Sequence, residues 1–482
     1  MGVSNPLSTL WLLVFNIANA LVWALTFIYL ANVMGPSDFG LFTVAFTIGA
    51  FSPIFTGLGS ESVLLMFASR DSSNLNYLFG NSFAIRLILS ILLLIVSFIF
   101  LAIFSIENST LTIIAIAAAL LNGFNVSLYS AVFRVLRMHL KSVLYTFFGT
   151  VIFGVIILII ANKNITPLDV ILALFTSYLC VFLLVTINIL KHVRPVFLYK
   201  EWLNQKLLGI KFSLSQLIDL LFQRVDILIL HFILGNAAVG LYSASNRITS
   251  ALIIFPSALQ FVFLQDFHKN AFDKDLLQNT FKRFLLFIFE SSGLIVGFIF
   301  WNSDLIINLL YINQYVDAGF LLRLLCIGFF LSFIGYPYSM KAEALGLVGK
   351  RLKLRVITLV ITTLLCFITI PLFKEAGAAI SMILGTVFFN AQLHFYSFRN
   401  FWISKKTFLY LAKLATLFII SGLLVLFIQK ICTFNRPLLL FISCSIYGIL
   451  YLSIGFISNA FRVINYQYLY NIILFQKRKI NE

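Results

Sequence analysis

The chain has 482 residues, of which 61% are hydrophobic and only 11% charged, and a formal net charge of +17; its mean hydropathy is +1.03. A soluble domain needs more polar surface than that, so a soluble enzyme is excluded. The apolar runs are continuous over about 20 residues rather than alternating, which fits helices that cross a bilayer and excludes a transmembrane barrel.

In chain order the predicted crossings are about 9–33, 40–67, 81–104, 111–133, 143–162, 168–190, 212–233, 239–265, 284–301, 317–339, 354–371, 376–397, 407–427 and 438–458. With the N-terminus inside, the inside segments hold most of the 34 basic residues, among them Arg134, Arg137, Lys141, Lys191, Arg194, Lys200, Lys350, Arg351, Lys353 and Arg355. The outside loops hold Lys163, Lys374, Lys430 and Arg436. This asymmetry predicts both termini in the cytoplasm. A basic inner rim facing anionic membrane lipids accounts for most of the net charge, so no nucleic acid partner is expected. The first run, about 25 residues long with no basic flank, does not read as a cleaved signal. Cys180, Cys326, Cys366, Cys432 and Cys444 are scattered without metal-ligand spacing, so neither metal nor cofactor is expected. The segments between crossings are short, which leaves no room for a catalytic or nucleotide-binding domain.

The first crossing carries Asn16, Asn19, Trp23 and Thr26 at i, i+3, i+7 and i+10, one face of a helix. The seventh carries Gln216, Asp219, Gln223 and Asp226 at the same four places, 200 residues on. After each comes a glycine turn. MGPSDFGLFTVAFTI at 34–48 aligns with LGNAAVGLYSASNRI at 234–248, matching Gly35 to Gly235, Gly40 to Gly240 and Leu41 to Leu241. Such glycines accept positive φ and let helices approach closely. A second pair, YSAVFRVLRMHLK at 129–141 and YSMKAEALGLVGK at 338–350, repeats at an offset of 209, and Pro167 and Pro371 fall near later turns. The chain therefore reads as a parallel internal duplication. The predicted fold is an all-α polytopic membrane protein: two pseudo-symmetric six-helix lobes at 1–190 and 212–397, a linker at 191–211, and two further helices with a basic tail at 398–482. A parallel repeat of this kind encloses a midplane cavity and suits alternating access.

GPSDFGLF at 35–42, QRVDILIL at 223–230, LGNAAVGLYSASNRI at 234–248, ALGLVGKR at 344–351 and EAGAAIS at 375–381 resemble the polysaccharide-exporter branch of the multidrug/oligosaccharidyl-lipid/polysaccharide flippase superfamily. Within it, the O-antigen or repeat-unit (Wzx-type) flippases are most similar in style. The resemblance implies a MATE-like fold in a bacterial inner membrane. It also implies a substrate of undecaprenyl-pyrophosphate-linked oligosaccharide, turned from the cytoplasmic to the outer leaflet. A polysaccharide polymerase and a chain-length regulator would be its partners.

Charges inside the crossings are costly and mark candidate sites. A pyrophosphate needs fixed positive partners in a low-dielectric core, and arginine offers a charged bidentate fork. Arg224, Arg247 and Arg323 are the candidates, with Arg86 as a first contact near the inner surface, where it and Lys413 can also simply snorkel. Asp226 and Arg247 flank the turn at 234–240 at similar distances and can pair across the hairpin. Asp219, Asp226, Glu61 and Glu290 are candidates for H⁺ or Na⁺ coupling, Asp219 and Asp226 first. The stripe residues Asn16, Asn19, Trp23, Thr26, Gln216 and Gln223 are expected to line the cavity, with Trp23 either stacking on sugar or packing between helices. Pro53, Gly57, Gly59 and Pro256 are expected to kink their helices. Two other readings stay open: an ion-coupled drug antiporter of the same superfamily, which would favour acids over arginines in its cavity, and a glycan polymerase or ligase. The latter needs a large outer loop with catalytic groups. The longest here, 302–316, offers Asp304 and no acid–base pair.

Overall fold

The structure, a computed structural model, describes residues 6–457 apart from 70, 72–73, 105–107, 162–163, 398–404 and 432–434. The expected basic tail, Lys163 and Cys432 lie outside the described residues. The described residues form seventeen α-helices, in order α1 (Pro6–Gly57), α2 (Ser60–Ala68), α3 (Leu75–Ile103), α4 (Ser109–Gly123), α5 (Ser130–Val135), α6 (His139–Ile160), α7 (Pro167–Leu190), α8 (Tyr199–Leu234), α9 (Asn236–Ala251), α10 (Ile254–Lys269), α11 (Lys274–Trp301), α12 (Ser303–Leu310), α13 (Ala318–Ala344), α14 (Val348–Phe373), α15 (Glu375–Ser397), α16 (Lys405–Ile431) and α17 (Arg436–Ile457). A π-helical turn (Phe124–Tyr129) joins α4 to α5. The described residues contain no strand.

Eleven of the described helical segments are long and apolar enough to cross a membrane. The first of them is two crossings, because the helix turns at Gly35. Helix α8 and the α9–α10 pair supply the two remaining expected crossings. Helix α8 is set apart by its charges, Asp219, Arg224 and Asp226, and α9 and α10 by their length, 16 residues each.

Four expected elements change shape, the first two at the kinks expected from Gly57, Gly59 and Pro256. The second crossing ends at Gly57 and restarts as α2, with Leu58 at φ 45° and Gly59 at φ 66°. Here the backbone of Gly59 lies against the backbone of Gly209 in α8, and a Cβ on either glycine would meet main-chain atoms. The eighth crossing breaks at Leu252–Ile253, because Pro256 has no N–H to give residue 252 and its ring crowds that carbonyl. By contrast α1 runs through Pro53; the carbonyl of Gly49 that this proline orphans takes the hydroxyl of Ser52 at 2.7 Å. The segment 191–211, expected as a linker, is helical from Tyr199, and 302–316, expected as a loop, holds α12 and a 3₁₀ turn.

Packing divides the chain into two compact units, Met1–Ser243 and Ala244–Glu482. In the first, α4, α6 and α7 gather around α1, and α8 packs along α1, α2 and α3. In the second, α13 packs against α11 and α15, with α14 beyond α15. The C-terminal helices α16 and α17 attach to α11: Tyr447 donates to the carbonyl of Gly293 at 2.7 Å and Tyr451 to that of Glu290 at 3.1 Å.

The duplication is written in the backbone. Gly35 has φ 74° and ψ 174°, and Gly235 has φ 82° and ψ −169°, the same rare conformation 200 residues apart. The later pair matches bond for bond. Met138 N donates to Phe133 O at 2.7 Å and Arg137 N to Arg134 O at 3.1 Å. Leu347 N donates to Ala342 O at 2.8 Å and Gly346 N to Glu343 O at 2.9 Å. Both are helix ends closed by a left-handed residue. That residue is glycine in the second copy (φ 69°) and Arg137 in the first (φ 59°). A non-glycine residue there costs roughly 1–2 kcal/mol. Arg137→Gly is therefore expected to raise the melting temperature, with a gain of about 1 kcal/mol, while Gly346→Arg lowers it; a melt of both variants in detergent checks the sign.

Candidate functional site

The described charges gather in two places within the first unit. One is a buried node around Arg86, which is 2% exposed. Two helix irregularities lie beside it, the break of α1 after Gly57 and the π-turn after Gly123, and each stretch presents a carbonyl to it, that of Pro53 and that of Gly123. Arg86 reaches both: Nη1 donates to Gly123 O at 2.7 Å and to the Ser127 hydroxyl, and Nη2 to Pro53 O at 3.5 Å. Nη2 also meets Glu61 Oε2 at 3.4 Å, and the guanidinium carbon lies 5.6 Å from the centre of the Phe124 ring. Gly57 makes the space, since a Cβ there would collide with Nη2. The second oxygen of Glu61 accepts from Gln216 Nε2 of α8 at 3.0 Å. The node thus ties α1, α2, α3, α4 and α8 together.

This corrects one expectation. Arg86 does not snorkel; the two carbonyls and Glu61 hold its head group inside the bundle, leaving little of the fork for a ligand. Lys413, the other residue expected to snorkel, is exposed.

The second place is the α8–α9 hairpin. The carboxylate of Asp226, 2% exposed, accepts from the Tyr242 hydroxyl at 2.5 Å and from Ile227 N at 2.8 Å. Two sequence landmarks, QRVD and GLYSAS, are therefore joined by one hydrogen bond that closes the hairpin. Arg224, two residues away on a different face, is half-buried. Its Nε is shielded and without a partner, and its guanidinium makes no hydrogen bond or ion pair among the described residues.

The stripe residues separate. Asn16 is exposed and donates to Leu12 O at 2.8 Å, while Thr26 is buried and donates to Val22 O at 2.8 Å. Asn19 accepts from Thr150 of α6 at 2.6 Å. Trp23 packs edge-on against Phe27 and Phe153, at 4.9 and 5.3 Å between centroids, and touches Phe46 at 6.4 Å. Gln216 and Gln223 are exposed, and Gln223 donates back to Asp219 O at 3.2 Å. Asp219 is half-buried.

In the second unit, Arg247 is half-buried on α9 and Glu290 fully buried on α11. Arg323 was expected as a cation for substrate. It is 36% exposed and pairs with Asp304 of α12, so the only acid noted in the 302–316 segment is already its partner. Sequence reasoning missed Lys341, which lies inside α13, 9% exposed, with its ammonium 5.6 Å from the Phe281 ring; the predicted crossing stopped at 339. It also missed the polar run Asn122, Gly123, Asn125 and Ser127, although four small polar or glycine residues in an apolar crossing are a readable signal.

A search of the curated proteins gives no significant sequence match. Among solved structures, the lipid II flippase MurJ in an inward closed conformation matches with a TM-score of 0.77 at 16% identity, covering 92% of this chain and 99% of that one. A multidrug resistance MATE family transporter of the MOP superfamily, inward-facing, matches at 0.63 and 18% identity over 80% of this chain and 93% of that one. The Vibrio cholerae MATE transporter VcmN, as a mutant, matches at 0.56 and 13% identity over 83% and 96%. These show a shared fold. The family whose description is polysaccharide biosynthesis protein matches residues 8–263, more than half of the chain. The chain belongs to the polysaccharide biosynthesis protein family, built on the fold of the MurJ and MATE transporters.

Proposed function

We propose that this protein is a flippase that carries an undecaprenyl-pyrophosphate-linked oligosaccharide from the cytoplasmic to the outer leaflet of a bacterial inner membrane by alternating access, with both termini inside. The observation that carries this reading is Arg224. A cation whose guanidinium makes no hydrogen bond or ion pair among the described residues, in the middle of a helix in an apolar chain, is costly unless a ligand uses it. Asp226 attracts it electrostatically from two residues away but makes no ion pair with it, its oxygens being held by Tyr242 and the backbone. A pyrophosphate supplies the missing anion, and a guanidinium binds it through two parallel hydrogen bonds. Arg247 is the second candidate contact. Arg86 and Arg323 are already paired and serve the fold.

Asp219, Asp226, Glu61 and Glu290 are the carboxylates proposed for H⁺ or Na⁺ coupling, of which Glu61 and Asp226 would exchange their contacts with Arg86 and Tyr242 for the ion, and a glycan polymerase and chain-length regulator are the partners this role implies. The alternative of a cationic-drug antiporter shares the fold, but a cationic cargo is repelled by Arg224.

The test is transport of the lipid-linked oligosaccharide in proteoliposomes. Arg224→Gln is expected to lower the initial rate by about tenfold to a hundredfold, the loss of one charge-assisted contact worth about 1.5–3 kcal/mol, with an unchanged melting temperature. An unaltered rate removes Arg224 from the site.

A further inference from the structure

Inside the first unit, α1, α4 and α7 enclose a cavity of about 130 Å³. It has room for one six-membered sugar ring, or for about four waters at their liquid volume. Its wall includes the rings of Phe46 and Tyr178, the Pro53 ring, small residues of α4, and the side chain of Asn122. No carboxylate or cation lines it.

Three features fit this cavity for a ligand. The amide of Asn122 borders the space and has no hydrogen-bond partner among the described residues. One turn on, Asn125 donates to the carbonyl of Tyr178 at 3.3 Å, and its shielded Oδ1 has no partner. That places an amide at the edge of the tyrosine that walls the cavity. Between the two asparagines the helix turns from α to π at Phe124, a distortion that concentrates at functional sites. The shielded, unpaired Oδ1 of Asn125 is unfavourable by roughly 1–3 kcal/mol, and the half-buried amide of Asn122 can meet a hydroxyl-bearing ligand.

The chemistry of the wall is that of neutral polyol recognition. Aromatic faces take the C–H face of a pyranose, and an amide matches adjacent hydroxyls with one donor and one acceptor. Charged ligands find no counter-ion there. Trp23, the residue the sequence offered for sugar stacking, stands one ring behind the wall and touches Phe46.

We propose that this cavity is a subsite that reads one neutral sugar of the carried glycan, with Asn122 as the contacting amide and Asn125 as a positioning residue for Tyr178. The subsite rests on the flippase reading and deepens it: Arg224 handles the pyrophosphate, and the α1–α4–α7 cavity handles the sugar.

The experiment compares two probes in proteoliposomes: undecaprenyl pyrophosphate bearing an oligosaccharide, and undecaprenyl pyrophosphate alone. Asn122→Leu, close in volume and without polar groups, is expected to slow the glycosylated probe about tenfold or more and the bare probe less than twofold, because a site built to pair hydroxyls loses its discrimination when the amide is removed. Tyr178→Phe serves as the second variant if the leucine protein does not fold. Equal slowing of both probes, or no slowing of either, overturns the subsite and leaves the cavity to water. A wild-type protein that moves neither probe overturns the flippase reading itself, and the sugar subsite with it.

Discussion

Gly40→Ala is expected to destabilise the protein by about 1–3 kcal/mol and Gly40→Val by more, because the obstacle is backbone on both sides. A Cβ at Gly40 would land on the carbonyl of Asn236 and beside Gly240 N. The reciprocal contact is its copy: a Cβ at Gly240 would land on the carbonyl of Pro36. Position 36 is to 40 what 236 is to 240, so the two turns of the duplication cross each other symmetrically at their glycines. Main chain cannot rotate away as a side chain can, and the helices must separate. Gly240→Ala is expected to cost a similar amount. The two together should cost less than the sum, since the first substitution already parts the helices. Melting curves of the two single variants and the double variant in detergent check this. Alanine variants with wild-type stability would mean that the turns do not touch.

Replacing Arg86 by methionine is expected to have the largest effect of any single change on stability, about 3–5 kcal/mol, the usual cost of breaking a buried ion pair from one side. Four groups lose a partner at once: Glu61, the Ser127 hydroxyl and the carbonyls of Gly123 and Pro53. Glu61 keeps Gln216, but its charge is left without a cation. The double variant Arg86→Met with Glu61→Leu should recover a substantial part of the loss, because the uncompensated carboxylate goes as well. The measurement is a double-mutant cycle of melting temperatures. A double variant no more stable than Arg86→Met alone would show that the carbonyl contacts, rather than the ion pair, set the cost.

Much of this architecture is legible in the sequence because the bilayer enforces it. An apolar run of about 20 residues has one structural outcome, so all fourteen expected crossings have counterparts in the helices. The duplication was visible at Gly35 and Gly235, where the chain needs φ of 74° and 82° and glycine meets that need without strain. What hydropathy could not carry was discontinuity. The break at Leu58–Gly59 falls where Gly57 and Gly59 were expected to kink the helix, but its close contact with the backbone of Gly209, far away in the chain, has no signal in hydropathy. The π-turn at Phe124–Tyr129 has no apolar signature either. For the same reason the depth of Arg86 was misread. Its distance from the end of its helix suggested escape to the surface, while the carbonyls that hold it, of Gly123 and Pro53, belong to neighbouring helices.

The charged candidates divide along that line. Arg323 and Asp304 are an ion pair that spacing alone did not reveal, because the segment between them, expected as a loop, folds back as α12. Asp226 reads from the sequence as a coupling acid, and the Tyr242 hydroxyl gives it a second occupation in the hairpin. Arg224 kept its candidacy, because its guanidinium makes no hydrogen bond or ion pair among the described residues.

The most direct test of the central claim is the initial rate at which purified wild-type protein, in proteoliposomes, turns undecaprenyl-pyrophosphate-linked oligosaccharide from one leaflet to the other. The flippase reading predicts turnover well above empty liposomes and its loss in the Arg224→Gln protein. Wild-type liposomes no faster than empty ones, with the protein folded and inserted, would contradict it.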